Sequence, residues 1–121
     1  MKANNVIQEK SFAFAIRITK VYQYLTSEKK EFVLSKQLLR SGTSIGANIE
    51  ESIGGQSEID FLHKVTISYK EARETIYWIK LLKATDYLKK EEAESLLADA
   101  TEICRILAKI QITIKKKREK V

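Results

Sequence analysis

Leu96-Leu97-Ala98-Asp99-Ala100-Thr101-Glu102-Ile103-Cys104-Arg105-Ile106-Leu107-Ala108-Lys109-Ile110-Gln111-Ile112-Thr113-Ile114 is the stretch that decides the fold. Within it Leu96, Ala100, Ile103, Leu107, Ile110 and Ile114 recur at steps of 4-3-4-3-4, an unbroken apolar stripe of heptad type. Lys90, Glu94, Arg105, Lys109 and Lys116 fall on other faces. The spacing predicts a helix over 90–117 whose last turns run into a basic tail at 115–121. Cations there complement the partial negative charge of a helix C-terminus.

Three further segments carry the same period. Upstream, Gly54-Gly55 ends one helix and Ser57 caps the next. From there Ile59, Leu62, Val65, Tyr69, Ala72, Ile76, Ile79 and Leu82 recur at three- and four-residue steps, widened by Phe61, Trp78 and Leu81. A helix over about 57–84 follows, roughly 40 Å long at 1.5 Å per residue. Residues 31–53 carry Leu34, Leu38, Ile45, Ile49 and Ile53, and residues 6–27 carry Phe14, Ile18, Val21 and Leu25, flanked by Phe12, Ala15, Ile16 and Tyr22. Connections near 27–31, 54–57 and 85–89 are short enough to place consecutive helices antiparallel. The expected fold is all-α, a single domain over 1–121 forming an antiparallel up-down-up-down four-helix bundle.

Gly42 and Gly46 stand one turn apart in the second segment and form a notch for another helix. Each glycine costs about 1 kcal/mol against alanine in a helix interior, so a packing gain must offset the pair. A loop between two shorter helices is the competing reading. The apolar phase passes through both glycines without slipping, which favours one helix.

The chain has 121 residues, 44% hydrophobic and 31% charged, with four glycines and no proline. That excludes disordered and collagen-like classes and disfavours a many-turned β fold. Net charge is +6, and the run from Lys115 to Lys120 carries five positive charges and one negative. A basic run suits contact with polyanions, although terminal lysines also serve simple solvation. Neither a signal peptide nor a bilayer-spanning run is present, so a cytoplasmic location without membrane contact is expected.

Constellations for catalysis are sparse. His63 is the sole histidine, and Asp60-x-x-His63 lacks the second copy that di-iron bundles use. No arginine lies within twenty residues before His63, and Gly42-x-x-x-Gly46 lacks the spacing and lysine of a phosphate loop. Cys104, among Ile103, Ile106 and Leu107, reads as a small buried hydrophobe. We expect no enzyme, metal or cofactor. Arg17, Lys20, Lys36 and Arg40 are expected to join Lys115, Lys116, Lys117, Arg118 and Lys120 in a positive surface for phosphates. A structural role for the paired charges, with i, i+4 partners such as Lys70–Glu74, is the competing reading. Gly42, Gly46, Asn48, Phe61, Tyr77 and Trp78 are assigned to helix packing and oligomer contacts, because Phe12, Phe61, Tyr77 and Trp78 cannot all fit inside so small a bundle.

Two blocks carry a family likeness. Gln37-Leu38-Leu39-Arg40-Ser41-Gly42-Thr43-Ser44-Ile45-Gly46-Ala47-Asn48-Ile49-Glu50-Glu51 is the first; Asp60 to Lys64 with Ser68 to Trp78 is the second. Together they resemble the four-helix-bundle proteins encoded in intervening sequences of bacterial 23S rRNA genes. The resemblance implies an antiparallel bundle assembling as a homopentameric ring. The partners it suggests are RNA or a nucleic-acid-processing enzyme, as for the accessory variability protein of diversity-generating retroelements, which is similar in fold and works with a reverse transcriptase and RNA. A protein–protein scaffold with no nucleic-acid partner is the alternative.

Overall fold

The structure is a computed structural model that describes residues 2–120, with side chains described over 6–120. Met1 and Val121, which close the expected domain and tail, lie outside the described residues. Four helices follow in order: α1 (Lys2–Ser27), α2 (Leu34–Ile53), α3 (Glu58–Ala84) and α4 (Lys90–Glu119). Each packs against its neighbours in a ring, α1 on α2, α2 on α3, α3 on α4 and α4 on α1, and the α1/α4 pair packs least closely. This is the antiparallel four-helix bundle that the periodicity requires.

Heptad spacing builds the core. Ile7, Ser11, Phe14, Ile18, Val21 and Leu25 are buried on α1, and Ala93, Leu96, Ala100, Ile103, Leu107, Ile110 and Ile114 on α4. Burying each large aliphatic side chain contributes about 1.5–3 kcal/mol. On α3 the buried positions are Val65, Ser68, Ala72, Thr75, Ile79 and Leu82. Two members of that stripe are hydroxyls, and the reading of the apolar face missed them. Ile59 is exposed, while Leu62, Tyr69 and Ile76 are half-buried beside the core rather than in it. The reason is the neighbour: Ser68 Oγ donates to the Ile45 carbonyl at 2.9 Å, and the Thr75 and Ser41 hydroxyls hydrogen-bond at 2.9 Å. Small polar side chains let α2 and α3 approach while keeping every buried hydroxyl partnered. Ile53, expected on the inner side of α2, is exposed at its last turn.

The helix ends are set locally. Helix α2 starts at Leu34, not near 31, because the Glu31 carboxylate accepts the N–H groups of Val33, Leu34 and Ser35 at 3.3, 3.1 and 2.7 Å. Ser57 caps α3 by accepting the Asp60 N–H at 3.1 Å, as its position before an apolar run requires. Helix α2 ends beside Gly54 without a left-handed residue, since Gly54 has φ −83°. Its neighbour Gly55 is needed for close approach: a Cβ there would lie 3.1 Å from the Ser52 carbonyl oxygen. Asp86, at φ 64°, closes α3 with its N–H on the Lys83 carbonyl and the Tyr87 N–H on the Leu82 carbonyl.

Candidate nucleic-acid interface

Helix α4 does not fray at its basic run. It remains helical to Glu119, two residues beyond the expected end. Lysine, arginine and glutamate are good helix formers, and cations in the last turn meet the negative end of the dipole. Lys117 Nζ and Arg118 Nη1 anchor this turn on Glu58 of α3 at 3.1 and 3.6 Å. Lys115, Lys116 and Lys120 remain exposed, and no carboxylate described lies within 4.0 Å of them.

Helical continuity brings in two cations that the run itself does not contain. At 100° per residue, Arg105, Lys109, Lys116 and Lys120 fall within about 60° of one another on the outer face of α4, over roughly 22 Å of helix. All four are exposed. Arg105 and Lys109 were seen in the sequence as polar positions only. Both share a face with Lys116 inside the expected 90–117 helix, and that shared face is the signal that joins them to the basic run.

Arg17 and Arg40 behave differently. Arg17 donates to Asp99 and to the Ser95 hydroxyl, each at 2.8 Å, and reaches Glu92 at 3.5 Å, all on α4. Arg40 donates to Glu71 at 3.2 Å, to Glu74, and to Gln37 at 3.3 Å. Glu74 also accepts the Trp78 Nε1–H at 2.8 Å, so it pairs across the seam and not with Lys70. These clusters occupy opposite seams of the bundle, α1/α4 and α2/α3. The two arginines therefore do not share a surface with each other, and their charge is already met by carboxylates. Lys36 is exposed on the first turn of α2, and Lys20 is exposed on α1.

The expected packing residues divide in the same way. A Cβ on Gly42 would lie 2.8 Å from Ile18 Cγ2, and one on Gly46 would lie 3.4 Å from the Ser11 carbonyl oxygen and Oγ. The glycine notch thus seats α1 of the same chain. Asn48 bonds within α2, donating to the Ser44 carbonyl at 2.9 Å. Phe61 and Trp78 are half-buried, whereas Tyr77 is 58% exposed and stands edge-on to Trp78 at 5.1 Å. Phe12, 66% exposed, lies with Ala15 and Ala47 along the outer α1/α2 groove.

His63 is exposed, and among the described residues no three His, Cys, Asp or Glu side chains are grouped to hold a metal ion. Burial pushes the Cys104 thiol up, against a smaller opposing pull from Arg73, so the thiolate is disfavoured. No helix among the described residues is long and apolar enough to cross a membrane.

The arrangement has counterparts. Residues 3–109 match the profile described as 23S rRNA-intervening sequence protein. The chain belongs to that family. A crystal structure of a protein with unknown function from the S23 ribosomal protein family of Bacteroides thetaiotaomicron VPI-5482 is similar at 51% sequence identity, with a TM-score of 0.89. The similarity covers 93% of this chain and 98% of that one. No curated protein matches this member of the 23S rRNA-intervening sequence family.

Proposed function

We propose that the protein is a non-enzymatic, cytoplasmic RNA-binding bundle that works as a homo-oligomer, a pentamer by family likeness. Its RNA contact is the outer face of α4. The observation that carries this is the single exposed stripe of Arg105, Lys109, Lys116 and Lys120, with no carboxylate described within 4.0 Å of any of the four. Arg105–Lys109 and Lys116–Lys120 are each about 6 Å apart along the axis, close to the phosphate spacing of an extended strand, and about 10.5 Å separates the two pairs. Binding of this kind is electrostatic and weakly sequence-specific, and several copies of the stripe in one ring would strengthen it by multivalency.

Salt titration tests the reading. With about five phosphates neutralised per site, log K falls against log[salt] with a slope near −3.5 to −4.5. Replacing Arg105, Lys109, Lys116 and Lys120 by Gln should flatten that slope by about 3, whereas Arg17→Gln should leave it unchanged. A salt-independent affinity, or equal loss from both variants, refutes the assignment.

Exposed apolar side chains favour the oligomer. Phe12, Phe32, Val33, Ile59 and Tyr77 are all more than half exposed in the single chain, and a second copy covering them would remove that apolar area from water. If light scattering shows an oligomer that binds no RNA at low salt, the scaffold reading replaces this one.

A further inference from the structure

A second cationic site lies at the opposite end of the bundle, beside the α1/α4 seam. Below Arg17 the seam is bridged by Lys10–Glu102 at 2.7 Å and Arg17–Asp99 at 2.8 Å. Above it Arg17–Glu92 at 3.5 Å is the last ion pair across the seam among the described residues, and a cleft of about 460 Å³ opens between the helices. Val21 and Leu88, both nearly fully buried, form its floor, and Tyr24 stands 37% exposed at its side. Lys20 and Lys89 sit on its rim. Tyr24, Leu88 and Lys89 also line an adjoining hollow of about 390 Å³ that adds Lys29, Lys83 and Lys90. Six cations line the two hollows; Arg17 is held by Asp99 and Lys83 by Glu94 at 3.6 Å, which leaves Lys20, Lys29, Lys89 and Lys90 against the lining carboxylates Glu92 and Asp86. Glu92 is already engaged by Arg17.

An apolar floor, an aromatic ring and a rim of lysines make a combination of definite chemistry. The floor and ring suit the face of a base, and the lysines suit its flanking phosphates. A purely apolar occupant would leave the lysines nothing to pair with, and a bare phosphate would leave the floor wet. The volume lies within the range of small-ligand sites. Resting on the RNA-binding reading above, we propose that this cleft holds one unpaired nucleotide of single-stranded RNA, its base against Tyr24 and its phosphates between Lys20 and Lys89. The contact is separate from the α4 stripe, which lies on the outer face and reaches toward the other end.

The test uses the full chain and a labelled uridylate oligomer of about twelve nucleotides, read by fluorescence anisotropy. Tyr24→Leu should weaken binding roughly fivefold or more, and Tyr24→Phe, which keeps the ring, should bind as the wild type does. Lys20→Gln with Lys89→Gln should flatten the salt slope by about 1.4, the value for two phosphates of a single strand. If these cleft variants bind normally while the α4 variants lose binding, the cleft assignment falls and the RNA-binding reading stands. If the wild type binds no oligomer at low salt, both fall. If the lysine pair matters but Tyr24→Leu is silent, and inorganic tripolyphosphate competes equally against wild type and Tyr24→Leu, the site is an ion-exchange patch and the nucleotide assignment is overturned.

Discussion

Gly42 lies directly against Ile18: a methyl group built on its Cα would come within 2.8 Å of Ile18 Cγ2 and 2.9 Å of Cγ1. Ile18 is fully buried and branched at Cβ, so its side chain has no free end to swing aside. Gly42→Ala should therefore destabilise by roughly 1–2 kcal/mol, with overpacking exceeding the propensity gain of about 1 kcal/mol. At Gly46 the corresponding contact is 3.4 Å, so Gly46→Ala should be neutral or mildly stabilising. Urea unfolding of both variants measures this. Equal effects at the two glycines would show that the notch does not seat α1 as described.

The buried Ser41–Thr75 pair makes a second prediction. Thr75 Oγ1 also bonds the Glu71 carbonyl at 2.7 Å, whereas the other contact of Ser41 Oγ, to the Leu38 carbonyl, is stretched to 3.5 Å. Thr75→Val should cost about 1–3 kcal/mol by stranding the serine hydroxyl. Adding Ser41→Ala should recover most of that loss, because an apolar pair of similar shape leaves nothing unpaired. Simple additivity in a double-mutant cycle would contradict the pairing.

Glu31 gives the bundle an acid-sensitive helix start. Partial burial alone would raise its carboxyl, but the N–H groups of Ser35, Leu34 and Val33 outweigh it and hold the group below its usual range. A depressed folded-state value means that the stabilisation is complete above about pH 4.3 and disappears as pH falls through the folded value. Glu31→Ala should cost about 1 kcal/mol near pH 7, as loss of an N-cap does. The gap from wild type should close in the acid limb of a stability–pH curve. A pH-independent gap would assign the effect to packing instead.

Lys30 and Asp86 are the only described non-glycine residues with positive φ, 54° and 64°. Aspartate tolerates this region, whereas lysine is strained in it. Lys30→Gly should raise stability by about 0.5–1 kcal/mol, seen as a higher Tm, and Asp86→Gly should gain less. A lower Tm for Lys30→Gly would mean that its side chain makes a contact worth more than the relief of strain.

Much of the bundle was legible in the residues. Four amphipathic periods, three short connections, the Ser57 cap and the glycine stop after Ile53 follow from local rules, and local rules act over a few residues of chain. The start of α2 near 31 was misplaced because Glu31 caps through its side chain from three residues upstream, a less common device than Ser57. Ser68 and Thr75 were passed over as core positions since a hydroxyl is polar by itself and becomes acceptable inside only when α2 offers it a partner.

Charge was the least legible feature. Sequence alone determined the number of helices, their order, the apolar faces and the basic run after Ile114, all properties of spacing along one strand of chain. Tertiary structure decided which cations are spoken for: Arg17 and Arg40 meet carboxylates 82 and 31 or 34 residues away, while Lys20 and Lys89 gather from distant positions around one cleft. Pairing between charges depends on separation in space over a few ångströms, and only the folding of four helices side by side sets those distances.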